Sequence, residues 1–420
     1  MLYIYRFLIN ITFILSPIII IFRLLKKKEH PKRFKEKLCY FSKFKKKGKL
    51  IWFHGASVGE IQSIIPLLEK FEKKKEIVNI LITSNTLSSS KIIEKFKFTK
   101  VIHQFFPIDT NSNCKKFIDY WKPSVAFFID SEIWPNTIIH LSKKKIPIIL
   151  LNGRITKKTF GRWKNFPKFS NFIFNKIDLS FACSSISKNY LKKLGVKKLK
   201  YFGNLKFSQS ENEKIVKFEK LEKFISSKKI WCASSTHFNE EKLCGLTHKK
   251  LKGKYKNVLT IIIPRHIERT DIIKDELRKL NLRIHEHESK NKIHPNTDIY
   301  IVNSYGQTKS IYNICKNVFL GGSLIKHGGQ NPLEATRYGC NVLHGPNIDN
   351  FKEIYQYLDR LDVSIKINNT TQMVKGLNKL FLKNDNSKKI KVKLAKIGNK
   401  ILINTYNEIN EFLKNETYKT

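Results

Sequence analysis

Two stretches of this chain put chemically useful residues directly after apolar runs. In the first, Leu50-Ile51-Trp52-Phe53 leads into His54-Gly55-Ala56-Ser57-Val58-Gly59-Glu60. Small residues let the backbone turn tightly. The Glu60 carboxylate then stands where it can either take a proton or cap the helix that follows. In the second, Asn317-Val318-Phe319-Leu320 precedes Gly321-Gly322-Ser323-Leu324-Ile325-Lys326-His327-Gly328-Gly329-Gln330-Asn331-Pro332-Leu333-Glu334. Strand, glycine-rich turn and a helix with Pro332 in its first turn form an arrangement that aims backbone N–H groups at a phosphate. Glu334, about one turn into that helix, could grip a ribose diol. Three of the charged residues between the two stretches are candidates for the same chemistry. Lys206 can reach a phosphate, and Glu132 can orient Lys206 or an acceptor. Arg265 either holds a phosphate or pairs with Glu268 at a helix start.

Such residues need rigid elements beneath them. Ile61, Ile64, Ile65 and Leu68 recur at helical spacing, which predicts a helix beginning close to Glu60. Apolar runs at Val78 to Ile82, Val101 to Phe106, Val125 to Ile129 and Ile146 to Leu151 predict further strands. Polar residues trail them: Thr83-Ser84-Asn85-Thr86, Asp109, Asp130-Ser131-Glu132 and Asn152-Gly153-Arg154. A second series follows Gly203-Asn204-Leu205-Lys206, with strands predicted at Ile230 to Ala233, Val258 to Ile263, Ile299 to Val302, Val318 to Leu320 and Asn341 to Leu343. Open parallel sheets bind ligands at the carboxyl ends of their strands. The pattern predicts an α/β chain of two Rossmann-like domains facing a cleft, linked through the Lys/Glu-rich stretch Ser208 to Lys229.

Lys+Arg 80 against Asp+Glu 34 gives a formal charge of +46. Nucleic acid, an anionic membrane or acidic substrates would each suit that charge, as would a plain bias toward lysine, which is scattered along the chain. No basic–aromatic recognition motif accompanies it, which argues against nucleic acid. Phe7 to Phe22 is mostly apolar. As a helix it covers about 24 Å of a hydrocarbon core about 30 Å thick, and Leu2 to Tyr5 and Leu24-Leu25 can extend it. Lys26-Lys27-Lys28, Lys32 and Arg33 follow, as expected for a membrane anchor with a cytoplasmic basic flank. A cleaved leader fits less well, because no small-residue cleavage site follows and the basic cluster lies on the wrong side. The seven cysteines form no C-x-x-C pair and read as free, small apolar residues of a reducing compartment. His54, His237 and His266 lack metal-ligand spacing, so no metal site is expected.

Trp52 to Glu60, Ser131-Glu132-Ile133-Trp134-Pro135-Asn136, Gly203-Asn204-Leu205-Lys206-Phe207, Pro264-Arg265-His266-Ile267-Glu268-Arg269 and Gly321 to Glu334 together resemble the signature motifs of 3-deoxy-D-manno-octulosonic acid (Kdo) transferases. His344-Gly345-Pro346 and Asn350-Phe351 extend the likeness. Asn303 and Gln307 stand where that family usually has acidic residues, and Gln330 where His is common. The resemblance implies a GT-B fold with an N-terminal membrane-anchor helix. It implies an inverting glycosyltransferase that moves Kdo from CMP-Kdo to a lipid A precursor (lipid IVA) and releases CMP, in lipopolysaccharide core synthesis, with no metal or cofactor. Glu60 would be the base, and Glu132 and Lys206 would support the transition state. Pro264, Arg265, Tyr305, Gly306, Gln307, Asn331, Pro332, Leu333 and Glu334 would bind the donor. Ser57, Ser84 and Ser131 would line the acceptor side. The expected division is a membrane anchor over 1–28, an acceptor domain over 29–207, a linker over 208–229 and a CMP-Kdo-binding domain over 230–420. The enzyme would act at the cytoplasmic face of a bacterial inner membrane, with membrane lipid and no nucleic acid among its partners. A non-catalytic binder of anionic glycolipid is the alternative; the presence of Glu60 favours the enzyme.

Overall fold

Runs of apolar residues with little alternation become strands buried on both faces of parallel sheets. The computed structural model describes residues 1–209 and 215–417. It divides into two units, Met1–Ser210 with Ile397–Thr420, and Glu211–Lys396.

The first unit holds β1 (Leu50–His54), β2 (Asn79–Ser84), β3 (Val101–Phe105), β4 (Val125–Ile129), β5 (Ile148–Gly153), β6 (Leu179–Ala182) and β7 (Leu199–Lys200). They form one parallel seven-stranded sheet in the order β3-β2-β1-β4-β5-β6-β7. The order reverses between β1 and β4, so the carboxyl ends of those two strands open the crevice where such sheets take ligands. Helices start on hydroxyl caps: Ser57, Thr86, Thr110, Thr156 and Ser184 each accept a backbone N–H from the first turn. Trp52, Phe106, Phe117 and Phe128 pack against one another beneath the sheet.

An N-terminal helix, α1 (Leu2–Leu25), precedes the sheet and is apolar enough to enter a membrane. Pro17 lies inside it and cannot donate to the Phe13 carbonyl one turn back. The buried Ser16 hydroxyl donates to that carbonyl instead, at 2.7 Å. Leu2 packs against the core of the first unit, and Ile20 is buried.

The second unit holds β8 (Lys229–Thr236), β9 (Val258–Pro264), β10 (Ile284–Glu286), β11 (Ile299–Ile301), β12 (Asn317–Leu320), β13 (Asn341–His344) and β14 (Ser364–Lys366). They form a second parallel seven-stranded sheet, ordered β10-β11-β9-β8-β12-β13-β14. Its switch point lies between β8 and β12. One face packs on a cluster including Cys232, Leu259, Ile261, Val318 and Tyr355; the other packs on Trp231, Ile262, Phe319, Leu343 and Leu377.

Several boundaries differ from the sequence reading. Thr83-Ser84, Asn152-Gly153 and Ser234 to Thr236 extend their strands beyond the ends expected from the apolar runs. The expected linker contains a short helix, Glu219–Ile225, whose Leu221 and Ile225 join the core of the second unit; 210–214 lie outside the described residues. The final helix, Ser387–Thr417, begins in the second unit, but Ile397–Thr420 is assigned to the first, so the expected single block 230–420 ends earlier. Phe207 and Gly398 explain this locally, because a Cβ on Gly398 would lie 2.3 Å from the Phe207 carbonyl oxygen. All seven cysteines are free and buried.

Candidate active site

Glu60 lies in the first turn of helix α2 (Val58–Glu72), above the carboxyl end of β1. It is the reciprocal member of a capping box, so the capping reading of the sequence is realised. Its Oε2 accepts the Ala56 N–H at 2.7 Å, and its Oε1 accepts the Ser57 hydroxyl at 2.9 Å. Those donors favour the charged form. Burial outweighs them, and the negative charges of Asp130 and Glu132 add to it, raising the Glu60 pKa from 4.5 to about 7. A half-buried carboxylate titrating near neutrality is suited to take a proton from a hydroxyl.

Asp130 and Glu132 follow β4, across the switch point from β1. Asp130 has φ +57°, and its neighbour at the end of β5, Asn152, has φ +52°. Both sit in the left-handed region, which Asp and Asn tolerate better than most side chains. Asn152 Nδ2 donates to Asp130 Oδ1 at 2.6 Å, and the Leu205 N–H donates to Asn152 Oδ1 at 2.9 Å. This locks the short helical turn Leu205–Ser208 in place, and that turn packs against α2. Lys206 Nζ then reaches Asp130 Oδ2 at 2.8 Å, with both groups largely buried.

Lys206 thus pairs with Asp130; of the two roles the sequence left open for Glu132, orienting Lys206 or an acceptor, no ion pair to Lys206 is seen among the described residues. Glu132 is engaged elsewhere. Its Oε2 takes the Trp134 indole N–H at 2.8 Å and lies 3.1 Å from His54 Nε2. His54 Nδ1 lies 2.9 Å from the Thr83 hydroxyl, which also accepts the Trp52 indole N–H. The Trp134 indole N–H also faces His54 Nε2 at 3.1 Å, and the Thr83 hydroxyl donates to the Phe53 carbonyl at 3.4 Å. Ser57 and Ser131 are exposed at this end of the sheet, but Ser84 is buried, 2.9 Å from His103 Nε2, and does not line an open surface.

In the second unit, Pro264 ends β9 and Arg265 follows it. The Arg265 N–H is held by the Thr236 carbonyl at 3.0 Å while its side chain is exposed. Glu268 accepts the Tyr305 hydroxyl at 2.9 Å; Tyr305 and Gly306 are exposed, and Gln307 begins the next helix. At the start of the glycine-rich stretch, three N–H groups are already taken. Glu240, fully buried, fills the turn after β12 with its carboxylate, which accepts the N–H groups of Gly322 at 2.7 Å, Ser323 at 3.2 Å and Leu324 at 3.1 Å. Those N–H groups therefore bind a protein carboxylate, not a phosphate. The following helix, Leu333–Arg337, is one short turn capped by Pro332, so Pro332 precedes the first turn instead of lying in it. Asn331 Oδ1 accepts the Leu333 N–H at 3.2 Å; Leu333 is buried and Glu334 exposed.

The sequence reading missed a histidine cluster at the same sheet edge. The His237 ring lies 4.3 Å from His327 and 6.2 Å from His266, centroid to centroid. Burial, with the neighbouring His327, His266, Arg265 and Arg269, lowers the His237 pKa to about 4. The signal was available: each histidine trails a different strand, after β8, β9 and β12. Among the described residues, no group of three or more His, Cys, Asp or Glu side chains is arranged to hold a metal ion.

Two seven-stranded parallel Rossmann-like sheets, each with charged groups at its switch point, give the chain the GT-B fold class. UDP-N-acetylglucosamine 2-epimerase from Neisseria meningitidis shares the fold, with a TM-score of 0.58 over 87% of this chain and 100% of that one at 16% identity. The family described as 3-deoxy-D-manno-octulosonic-acid transferase (kdotransferase) matches residues 32–209. The 3-deoxy-D-manno-octulosonic acid transferase of Rickettsia bellii is 32% identical over 390 residues, covering 91% of each chain. That of Haemophilus influenzae is 29% identical over 357 residues, covering 84% of this chain and 83% of its own. The chain belongs to the 3-deoxy-D-manno-octulosonic acid transferase family.

Proposed function

We propose that the chain transfers Kdo from CMP-Kdo to a sugar hydroxyl of a lipid A precursor such as lipid IVA, with inversion, in lipopolysaccharide synthesis at the cytoplasmic face of the inner membrane. The observation that carries the mechanism is Glu60, half-buried between two further carboxylates and pushed up to about 7. Glu60 takes the proton of the acceptor hydroxyl. The freed oxygen bonds to the anomeric carbon of Kdo, the bond from that carbon to the CMP phosphate oxygen breaks, and CMP leaves with the electron pair. Lys206, fixed by Asp130, offsets the negative charge beside the base, and Glu132 holds the His54–Trp134 side of the acceptor site. In the second unit, Arg265 and the histidine cluster take the phosphate, while Asn331 and Glu334 take the ribose, with the Pro264 and Tyr305–Gln307 turns alongside.

The test is to incubate purified protein with CMP-Kdo and a lipid A precursor and weigh the lipid. One or more Kdo increments, with CMP released, are expected. Lipid binding with neither mass gain nor CMP release would leave the non-catalytic glycolipid binder as the better reading.

A further inference from the structure

Both ends of α1 are fastened to the same globular unit. At its start, the Tyr5 hydroxyl donates to Asp109 Oδ2 at 2.7 Å. Arg6 Nε donates to Asn136 Oδ1 at 2.9 Å, and its Nη2 donates to Asn111 Oδ1 at 2.9 Å. At its end, Arg23 pairs at 2.6 Å with buried Glu29, which also holds Lys37 at 2.6 Å. Lys37 in turn reaches the Asn85 carbonyl at 3.0 Å. Between these ties, Ser16 and Ile20 are buried.

Tyr5, Ser16, Ile20 and Arg23 lie on one helical face at about 100° per residue. The opposite face is apolar and bare: Tyr3, Phe7, Ile14, Ile18, Ile21 and Leu25 are between 59% and 83% exposed. From Tyr5 to Arg23 the helix rises about 27 Å, close to a full hydrocarbon thickness. If it crossed, the Asp109–Asn136 and Glu29–Lys37 ties would lie on opposite sides of the bilayer, though both belong to one folded unit. Either the ties break, stranding Arg6 and buried Asp109, or the helix does not cross.

We infer that α1 lies flat, with its bare face sunk into one leaflet and its inner face seated on the protein. This rests on the membrane reading above and specifies it. The occupant of the bare face is an anionic bilayer: Lys26, Lys27, Lys28, Lys32 and Lys35 follow the helix, are exposed, and suit anionic headgroups. The arrangement also brings the leaflet to the candidate site, because Asn136, which holds Arg6, stands in the first turn of the helix Pro135–Lys143 that directly follows the loop carrying Glu132. A lipid-borne acceptor would meet the protein beside the residues proposed to act on it.

The test uses the full chain with a single fluorophore on Phe7→Cys, Ile14→Cys or Ile21→Cys, positions where the new thiol is exposed and the native ones are buried. Each is added to phosphatidylglycerol/phosphatidylethanolamine vesicles containing shallow or deep quenchers. The flat helix predicts all three labels at one shallow depth, about 5–10 Å into the leaflet. It also predicts that a label on Tyr3→Cys stays reducible by an impermeant reagent added outside. Deep quenching confined to Ile14→Cys, with the Tyr3→Cys label protected inside, would overturn the flat seat while leaving membrane attachment standing. Absence of vesicle binding, or a dimer in buffer that protects the labels without lipid, would overturn the lipid occupant itself.

Discussion

A transfer reaction run through Glu60 should lose rate steeply just below neutrality. Burial and the Asp130 and Glu132 charges lift this carboxyl from 4.5 to about 7. About a tenth of it is then ionised at pH 6 and about nine-tenths at pH 8, so kcat/KM should rise roughly tenfold between them. An unperturbed Glu is almost wholly ionised at both pH values and predicts a flat profile. Asp130→Asn removes one of the charges that raise the pKa, which lowers the pKa of Glu60. The acid limb should therefore move to lower pH in that variant even if its plateau falls. The same shift bears on stability. The folded pKa lies above the unfolded one, so ionising Glu60 costs the fold. This contribution is most favourable below the unfolded value and is lost as pH rises through the folded one, with an upper bound on the order of 3 kcal/mol before solvent screening. The assay is initial-rate transfer across pH 5.5 to 8.5, with denaturant melts at each pH to confirm folding. A flat profile for the wild type, or an acid limb that Asp130→Asn leaves in place, would refute the reasoning.

The remaining predictions concern the supports of both candidate sites. Lys206→Met leaves Asp130 charged and largely buried without its ion partner, and should lower stability by about 3–5 kcal/mol in urea melts; adding Asp130→Asn should recover much of that loss. Arg265→Ala removes an exposed side chain and should leave the melting temperature unchanged. It should weaken CMP binding by calorimetry about tenfold to a hundredfold, the equivalent of about 1.5–3 kcal/mol for a charge-assisted contact. Gly321→Ala puts a Cβ 2.3 Å from the Ser235 carbonyl oxygen and 2.8 Å from Glu240 Oε2. It should destabilise the second unit by well over 1 kcal/mol, seen as a lowered unfolding midpoint.

Strand placement was readable because buried parallel strands are written as apolar runs, and ten of the fourteen strands were placed from such runs. The short ones escaped: β6 (Leu179–Ala182), β7 (Leu199–Lys200), β10 (Ile284–Glu286) and β14 (Ser364–Lys366) each have too few residues for a pattern. Glu60 was readable because the small residues before it and the helical periodicity after it are local. The Lys206–Asp130 pair was not, since its members are 76 residues apart and meet only when β4, β5 and the Leu205–Ser208 turn assemble. Likewise nothing near Gly322 announces that Glu240, 82 residues earlier, fills the turn. A glycine-rich turn advertises free N–H groups, but whether a ligand or a distant carboxylate takes them is decided by tertiary packing. The apolar helix shows the same limit. Its hydropathy was plain, while its seat depends on Asp109, Asn111 and Asn136, which the chain brings to it from afar.

The most direct test of Glu60 as the base is a single-turnover transfer by Glu60→Gln, with CMP-Kdo and a lipid A precursor both at saturation and the lipid product weighed. The amide keeps the size of the side chain and can still serve the capping turn, so the variant should melt like the wild type and bind CMP with unchanged affinity. It should add no Kdo to the lipid over the time in which the wild type completes a turnover. A folded Glu60→Gln protein that transfers Kdo at near wild-type rate would contradict the account.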